Sequence, residues 1–250
     1  MSREFQGCDR GLDEMIDGLK GLLPARSTLD RRQFVSGLGA TLAMTWALAG
    51  TFALGNVRVA MAAAPTPEDM KDLQRIEEYF NAITTMQARF LQLSPNGRTA
   101  EGNLFIARPG RLRFEYDPPV PYLLVADGSQ VVFYDKELDT PTFVPLGSTP
   151  LEFLLGDKVK LSGNVTVTNV ERRPGIIRIT LVQTKSPNDG QVIITFTERP
   201  IEVKKWAIVD SKGTTVEVAI FDPRLGVNLD PKLFKFENKR VIRNEGRSSN

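Results

Sequence analysis

Turn-forming residues recur at short intervals along most of the chain and separate runs that favour β-strands. Glycine, proline and asparagine or aspartate supply these turns, as in Pro95-Asn96-Gly97 and Asn188-Asp189-Gly190. Strands joined this closely must pair antiparallel, because a parallel pair needs a long crossover. The predicted strands cover residues 87–94, 101–107, 111–117, 121–126, 130–135, 140–145, 164–172, 176–184, 191–198, 201–209 and 214–221.

Several of these runs alternate between apolar and polar residues, which is typical of strands with one buried face. In one of them Leu112, Phe114 and Tyr116 share a face, with charged residues between them. Ten or eleven antiparallel strands are too many for a flat sheet. The sequence therefore predicts a mainly β fold, either a barrel or a strongly curved sheet.

Two helices are predicted beside the strands. Residues 67–86 begin with Pro67 and carry an apolar stripe at helical spacing. Residues 148–156 form a shorter helix that ends at Gly156. The apolar stripe of the long helix either packs directly on the sheet or covers a cavity, and periodicity does not separate these alternatives.

The start of the chain resembles an export signal. Arg31 and Arg32 precede Phe34 and an apolar run rich in glycine and alanine at residues 35–55. Paired arginines in this position resemble a twin-arginine signal, although export by the Sec route and an uncleaved membrane anchor are alternatives. The predicted cleavage region contains the small residues Ala60, Ala62 and Ala64.

These features divide the chain into three parts and place the protein in the periplasm. We expect a leader at residues 1–62, a folded domain at 63–240 and a disordered tail at 241–250. The single cysteine, Cys8, lies upstream of the arginines and does not follow the apolar run. The mature protein is therefore not expected to carry a lipid anchor of its own.

Composition argues against most enzyme classes. The chain has no histidine, which removes the commonest general base and metal ligand. Its net charge is +2 with scattered charges, so no nucleic-acid surface is expected. The acidic run at 135–139 lacks the glycine and the final glutamate of a calcium loop. We predict no catalytic residue, no metal and no cofactor, and a hydrolase remains the alternative from another functional class.

Several stretches, taken in order, resemble the periplasmic outer-membrane lipoprotein carrier family, LolA. The resemblance covers roughly residues 68–240. It rests on Met86-Gln87-Ala88-Arg89-Phe90-Leu91-Gln92, Glu101-Gly102-Asn103-Leu104-Phe105-Ile106, the run from Ala107 to Tyr116, Leu124-Val125-Ala126-Asp127-Gly128, Val132-Phe133-Tyr134-Asp135 and Thr149-Pro150-Leu151-Glu152-Phe153-Leu154.

The resemblance implies an unclosed antiparallel β-barrel, of about ten or eleven strands, covered by helices. It implies a monomeric carrier that takes lipoproteins from an inner-membrane ABC transporter, shields their acyl chains and delivers them to an outer-membrane acceptor. A carrier or sensor of another amphiphile, such as a free lipid or a hydrophobic peptide, is the alternative. The twin-arginine leader and the connection at 136–148 depart from the family pattern.

The resemblance also suggests site residues. Arg108 matches an arginine that bonds the lid backbone of the family, although a plain hairpin-turn cation is the alternative. The expected cavity and lid residues are Leu73, Ile76, Phe80, Ile83, Phe90, Leu104, Ile106, Leu112, Phe114, Tyr116, Leu151, Leu154, Leu155, Val192, Ile194 and Phe196.

Overall fold

The computed structural model describes residues 65–149 and 151–237. The predicted leader, with Arg31, Arg32 and Phe34 and the alanines at its cleavage region, lies outside these residues, as does the predicted tail at 241–250. In the described part of the chain, no helix is long and apolar enough to cross a membrane.

Eleven strands form one antiparallel sheet, as the spacing of the turns predicts. The strands run in the sheet in the order β6-β5-β4-β3-β2-β1-β11-β10-β9-β8-β7. Strands β1 to β6 pair in sequence order, and so do β7 to β11. The two series meet where β1 pairs with β11 in the middle of the sheet, and β6 and β7 form its two edges. The strands are β1 (Thr85–Leu93), β2 (Thr99–Ala107), β3 (Arg111–Tyr116), β4 (Tyr122–Asp127), β5 (Gln130–Asp135), β6 (Thr140–Pro145), β7 (Val165–Arg173), β8 (Ile176–Gln183), β9 (Gly190–Glu198), β10 (Ile201–Asp210) and β11 (Thr215–Leu225).

The sheet is not closed, because its edge strands β6 and β7 do not pair with each other. The chain joins these edges through a 3₁₀ turn (Leu146–Ser148) and a short helix, α2 (Leu151–Leu155). The prediction of an unclosed antiparallel barrel with helices is confirmed. The connection between the edges matters for the site because it carries α2 and the residues that follow it.

Helix α1 (Pro67–Ala82) begins at a capping box and lies on the same face of the sheet as α2. The Thr66 hydroxyl accepts from the Asp69 backbone N–H at 3.2 Å, and the Asp69 carboxylate accepts from the Thr66 N–H at 2.7 Å. These bonds satisfy backbone donors that the first helical turn leaves unpaired. The helix ends four residues earlier than predicted, because Ile83 is extended and β1 begins at Thr85.

One face of the sheet forms a continuous apolar core with α1 and α2. The opposite face is covered locally by a 3₁₀ segment, Pro231–Phe234, beside β3 and β4. The Arg113 guanidinium donates to the Leu233 carbonyl at 3.1 Å, and Phe234 is fully buried. This cover explains why Leu123 and Val125 of β4 are buried although Leu124 between them faces the core.

Candidate functional site

A cavity of about 810 Å³ lies between the core face of the sheet and the two helices. Pockets that bind small molecules are about 300–1,000 Å³, are mostly apolar and contain a few placed polar groups. Strands β1 to β4 and β7 to β11 contribute the floor, and α2 with the end of α1 contributes the cover. The cavity is therefore large enough for an apolar ligand and is shielded on the helical side.

Eleven of the sixteen residues expected from the sequence line this cavity. They come from the end of α1, including its C-cap Ile83, from α2 and from the three strands β2, β3 and β9. The lining residues in this group are Phe80, Ile83, Ile106, Leu112, Phe114, Tyr116, Leu151, Leu154, Leu155, Val192 and Ile194.

The other five expected residues lie in the filled core and not at the cavity wall. Leu73 and Ile76 are buried on the first half of α1, where the helix packs closely against the sheet. The Phe196 ring packs edge-on against Phe80 with the ring centroids 5.6 Å apart. The remaining two residues, Phe90 of β1 and Leu104 of β2, are fully buried, and Phe90 packs against Phe114 and Tyr116. Alternation in the sequence marks a buried face, but it does not show where that face is left uncovered.

Several cavity residues were not predicted. Trp206 of β10 lines the cavity and packs edge-on against Phe114, with the ring centroids 6.2 Å apart. A register shift between Val203 and Lys205 brings both Val203 and Trp206 to the cavity side. The other unpredicted apolar lining residues include Met86, Leu124, Phe153, Val165, Leu181, Ile208, Val216, Val218 and Ile220.

One polar pair is buried at the floor of the cavity. The Tyr116 hydroxyl donates to Gln92 Oε1 at 2.6 Å, and both side chains line the cavity. Burial raises the pKa of the Tyr116 hydroxyl, so this group stays neutral at physiological pH. The cavity floor therefore contains a neutral polar pair and no charge from Tyr116 or Gln92.

Arg108 connects the β2–β3 turn to the ends of both helices. Its Nε and Nη2 atoms donate to the carbonyl oxygen of Gly156 at 3.2 and 2.6 Å, directly after α2. Its Nη1 atom donates to the carbonyl oxygen of Phe80 in the last turn of α1. Burial lowers the pKa of Arg108 and nearby Asp157 opposes the shift, so the guanidinium keeps its charge. A cation is favourable here because carbonyl oxygens collect at helix C-termini.

The first half of α1 is attached to the C-terminal half of the sheet. Arg172 Nε of β7 donates to Asp72 Oδ2 at 2.7 Å. Arg75 Nη2 donates to the Glu198 carbonyl at 2.7 Å, at the turn between β9 and β10. None of these contacts involves Arg108, so α1 is attached to the sheet separately from the bonds that Arg108 makes.

Residues 156–164, which we term the strap, run from α2 to β7 and are held by the second half of α1. The Asn81 amide accepts from the Val159 N–H at 2.9 Å and donates to the Val159 carbonyl at 3.0 Å. The Glu77 carboxylate accepts from the Leu161 N–H at 2.6 Å. The two helix side chains thus satisfy backbone groups of the strap, which belongs to no strand.

We expect Asn81→Ala to loosen the strap. The substitution removes both hydrogen bonds to Val159, a fully buried residue, and should cost about 1–3 kcal/mol of unfolding free energy. The matched control is Gln74→Ala, which removes an exposed bond to Glu78 on the same helix and should cost less than about 0.5 kcal/mol. Thermal unfolding of both variants measures the difference, and equal midpoints would contradict the anchoring role of Asn81.

Comparison with known proteins gives a consistent result. Residues 81–237 match the family model of the outer membrane lipoprotein carrier protein LolA. An outer-membrane lipoprotein carrier protein of Methylococcus capsulatus is 30% identical over 186 residues, covering 71% of this chain and 86% of the relative. The protein of the same name from Azotobacter vinelandii is 28% identical over 188 residues, covering 72% and 90%.

Among solved structures, a LolA superfamily protein from Nitrosomonas europaea is similar at 10% identity with a TM-score of 0.40. The similarity covers 66% of this chain and 97% of that protein. In the residues that the structure describes, no group of three or more acidic, histidine or cysteine side chains is placed to hold a metal.

From the family match over residues 81–237, the chain belongs to the LolA family of outer membrane lipoprotein carrier proteins.

Proposed function

We propose that this protein carries lipoproteins through the periplasm with their acyl chains held in the cavity. The observation that supports this most is the cavity itself, about 810 Å³ with a mainly apolar floor below two helices. Each methylene group removed from water contributes about 0.8 kcal/mol of favourable transfer free energy. Acyl chains are therefore much more stable in such a cavity than in water. The match to the LolA family, and the similarity to relatives named outer-membrane lipoprotein carrier proteins, support the same role.

The proposal includes a direction of transfer. The lipoprotein is received from an inner-membrane ABC transporter and passed to an outer-membrane acceptor. The export signal predicted at residues 1–62 would bring the carrier into the periplasm. No covalent step is needed, because each transfer only exchanges one apolar environment for another.

Access to the cavity depends on α2 in this proposal. Arg108 and the Gly110 N–H, which donates to the Leu155 carbonyl at 2.7 Å, hold the C-terminal end of α2 against the β2–β3 turn. Helix α1 has separate attachments to β7 and to the β9–β10 turn. Breaking the Arg108 contacts would therefore release α2 first, and incoming acyl chains would replace Leu151 and Leu154 in the cavity.

We expect acyl chains in the cavity to quench the fluorescence of Trp206. The experiment uses a lipopeptide with brominated acyl chains, because bromine quenches indole emission at short range and Trp206 lines the cavity. The chain has two tryptophans, and the other, Trp46, belongs to the predicted leader. Titration of the lipopeptide should remove most of the Trp206 emission in a saturable manner.

Two controls make this measurement specific. The same peptide without acyl chains should leave the emission unchanged. Trp206→Phe should remove the quenchable signal while the protein still binds, as shown by co-elution with the lipopeptide in gel filtration. Absence of saturable quenching in the unmodified protein would refute the acyl-chain cavity.

A further inference from the structure

Three lysines lie at the rim of the cavity, where its apolar lining meets solvent. Lys158 and Lys160 are on the strap, and Lys185 is in the β8–β9 turn. The side chains are exposed, and all three residues belong to the cavity lining. The mouth of the cavity therefore differs in charge from its interior.

The strap carries two of these lysines next to buried residues that α1 holds. Burial alternates along it, with Val159 and Leu161 buried and Lys158 and Lys160 exposed between and beside them. Asn81 and Glu77 of α1 hold the buried residues by their backbone. Both lysines are therefore exposed beside residues that α1 holds by their backbone, and both belong to the cavity lining.

The third lysine is brought to the same place by strand pairing. The Thr184 N–H donates to the carbonyl of Asn164, the last residue of the strap, at 3.0 Å. Lys185 follows directly after Thr184, and both Asn164 and Lys185 line the cavity. The β8–β9 turn and the strap therefore form one continuous part of the rim.

The three rim lysines form no ion pair within the described part of the chain. No ion pair there involves any of the three lysines. Two other charged residues line the cavity: Glu152 on α2, and Arg108, which donates to backbone carbonyls. Asp157, the acid nearest to the lysines in sequence, interacts with Arg108. Among the described residues, the cavity lining thus contains three lysines that form no ion pair and one carboxylate, that of Glu152.

We propose that the rim binds the anionic headgroup of a diacyl lipid whose chains occupy the cavity, so that anionic glycerophospholipids are a second ligand class. This inference rests on the proposed acyl-chain cavity. A phosphate carries oxygen acceptors for several ammonium groups, whereas the thioether-linked diacylglycerol of a lipoprotein carries no such charge. Three lysines have no evident function toward a neutral cargo, but they would retain a phosphate held at the mouth.

The test compares two short-chain lipids that differ in headgroup charge. Dihexanoyl phosphatidylglycerol and dihexanoylglycerol are titrated, as monomers, against an uncharged naphthylamine dye bound to the purified protein. The anionic lipid should displace the dye about tenfold more effectively, and the preference should decrease as salt is added. Glycerol phosphate without acyl chains should displace nothing, which separates a lipid headgroup from free phosphate.

Two triple variants locate the effect. Lys158→Gln, Lys160→Gln and Lys185→Gln together should abolish the tenfold preference and leave dihexanoylglycerol binding unchanged. The matched control changes Lys71, Lys136 and Lys212 to glutamine, which are exposed lysines outside the cavity lining, and should keep the preference.

The outcomes distinguish this inference from the proposed function. Equal affinity for both lipids, or a preference that survives in the rim variant, would overturn the headgroup site while leaving the acyl-chain cavity intact. If the control variant also lost the preference for the anionic lipid, that preference would come from the net charge of the protein. This result would likewise overturn the headgroup site. If neither lipid displaces the dye, the acyl-chain cavity itself is refuted.

Discussion

Arg108→Leu should bind acyl ligands more tightly than the unmodified protein and release them more slowly. The substitution removes the hydrogen bonds to the Gly156 and Phe80 carbonyls that hold the helical cover in place. Hydrogen bonds from a charged donor contribute about 1.5–3 kcal/mol. A loss of about 3 kcal/mol shifts the equilibrium between the covered and the uncovered cavity roughly a hundredfold toward the uncovered form. The ligand then no longer has to displace the helical cover in order to bind.

Quenching of Trp206 measures this affinity, and transfer of a lipopeptide to acceptor vesicles measures release. Arg98→Leu is the matched control because Arg98 is exposed in the β1–β2 turn and donates there through its backbone N–H. It should change neither quantity. If Arg108→Leu bound and released the lipopeptide at the wild-type affinity and rate, Arg108 would be a turn cation without a role in the cover.

Gly102→Ala should destabilise the sheet severely, although it adds one methyl group. A Cβ atom at this position would lie 2.2 Å from the carbonyl oxygen of Glu115 and 2.7 Å from the Phe90 ring. Neither neighbour can move easily. The Glu115 carbonyl is part of the paired backbone of β3, and the Phe90 ring packs against Phe114 and Tyr116. We expect a loss of about 3 kcal/mol, which lowers the midpoint of thermal unfolding by about 6–12 °C.

The matched control for this substitution is Gly147→Ala. A Cβ at Gly147 would meet its nearest neighbour, Oε1 of Glu152, at an ordinary 3.7 Å. We expect a change within about 0.5 kcal/mol. If the two variants unfolded at the same temperature, the close approach of β2 to β3 would not be what requires glycine at position 102.

The strands could be predicted because their signals are local. Turns such as Asp127-Gly128 and Pro174-Gly175 mark strand ends directly, and Gly128 and Gly175 both adopt the positive φ angles that favour glycine. The apolar spacing predicts a longer helix than α1, because Ile83 continues that spacing. Its extended backbone is set by the start of β1 and not by its own side chain.

The site was harder to predict because it depends on contacts between distant parts of the chain. Leu73 and Phe80 belong to the same helical stripe, yet Leu73 lies in the filled core and Phe80 at the cavity. The strap gave one local signal, the alternation of lysine with apolar residues at 158–161, which resembles an edge strand. Its anchoring by Asn81, almost eighty residues away in sequence, has no signature in the sequence itself.

The pairing of β1 with β11 has a consequence for the order in which the protein can assemble. The first strand to emerge from the ribosome has its second partner in the last one, so the middle seam of the sheet stays open until synthesis of the domain is complete. Such a distant pairing also forms slowly, since a long loop must close before the contact is gained. The two hairpin series can fold on either side of the seam beforehand, and joining them unites the N- and C-terminal halves of the cavity floor in one step.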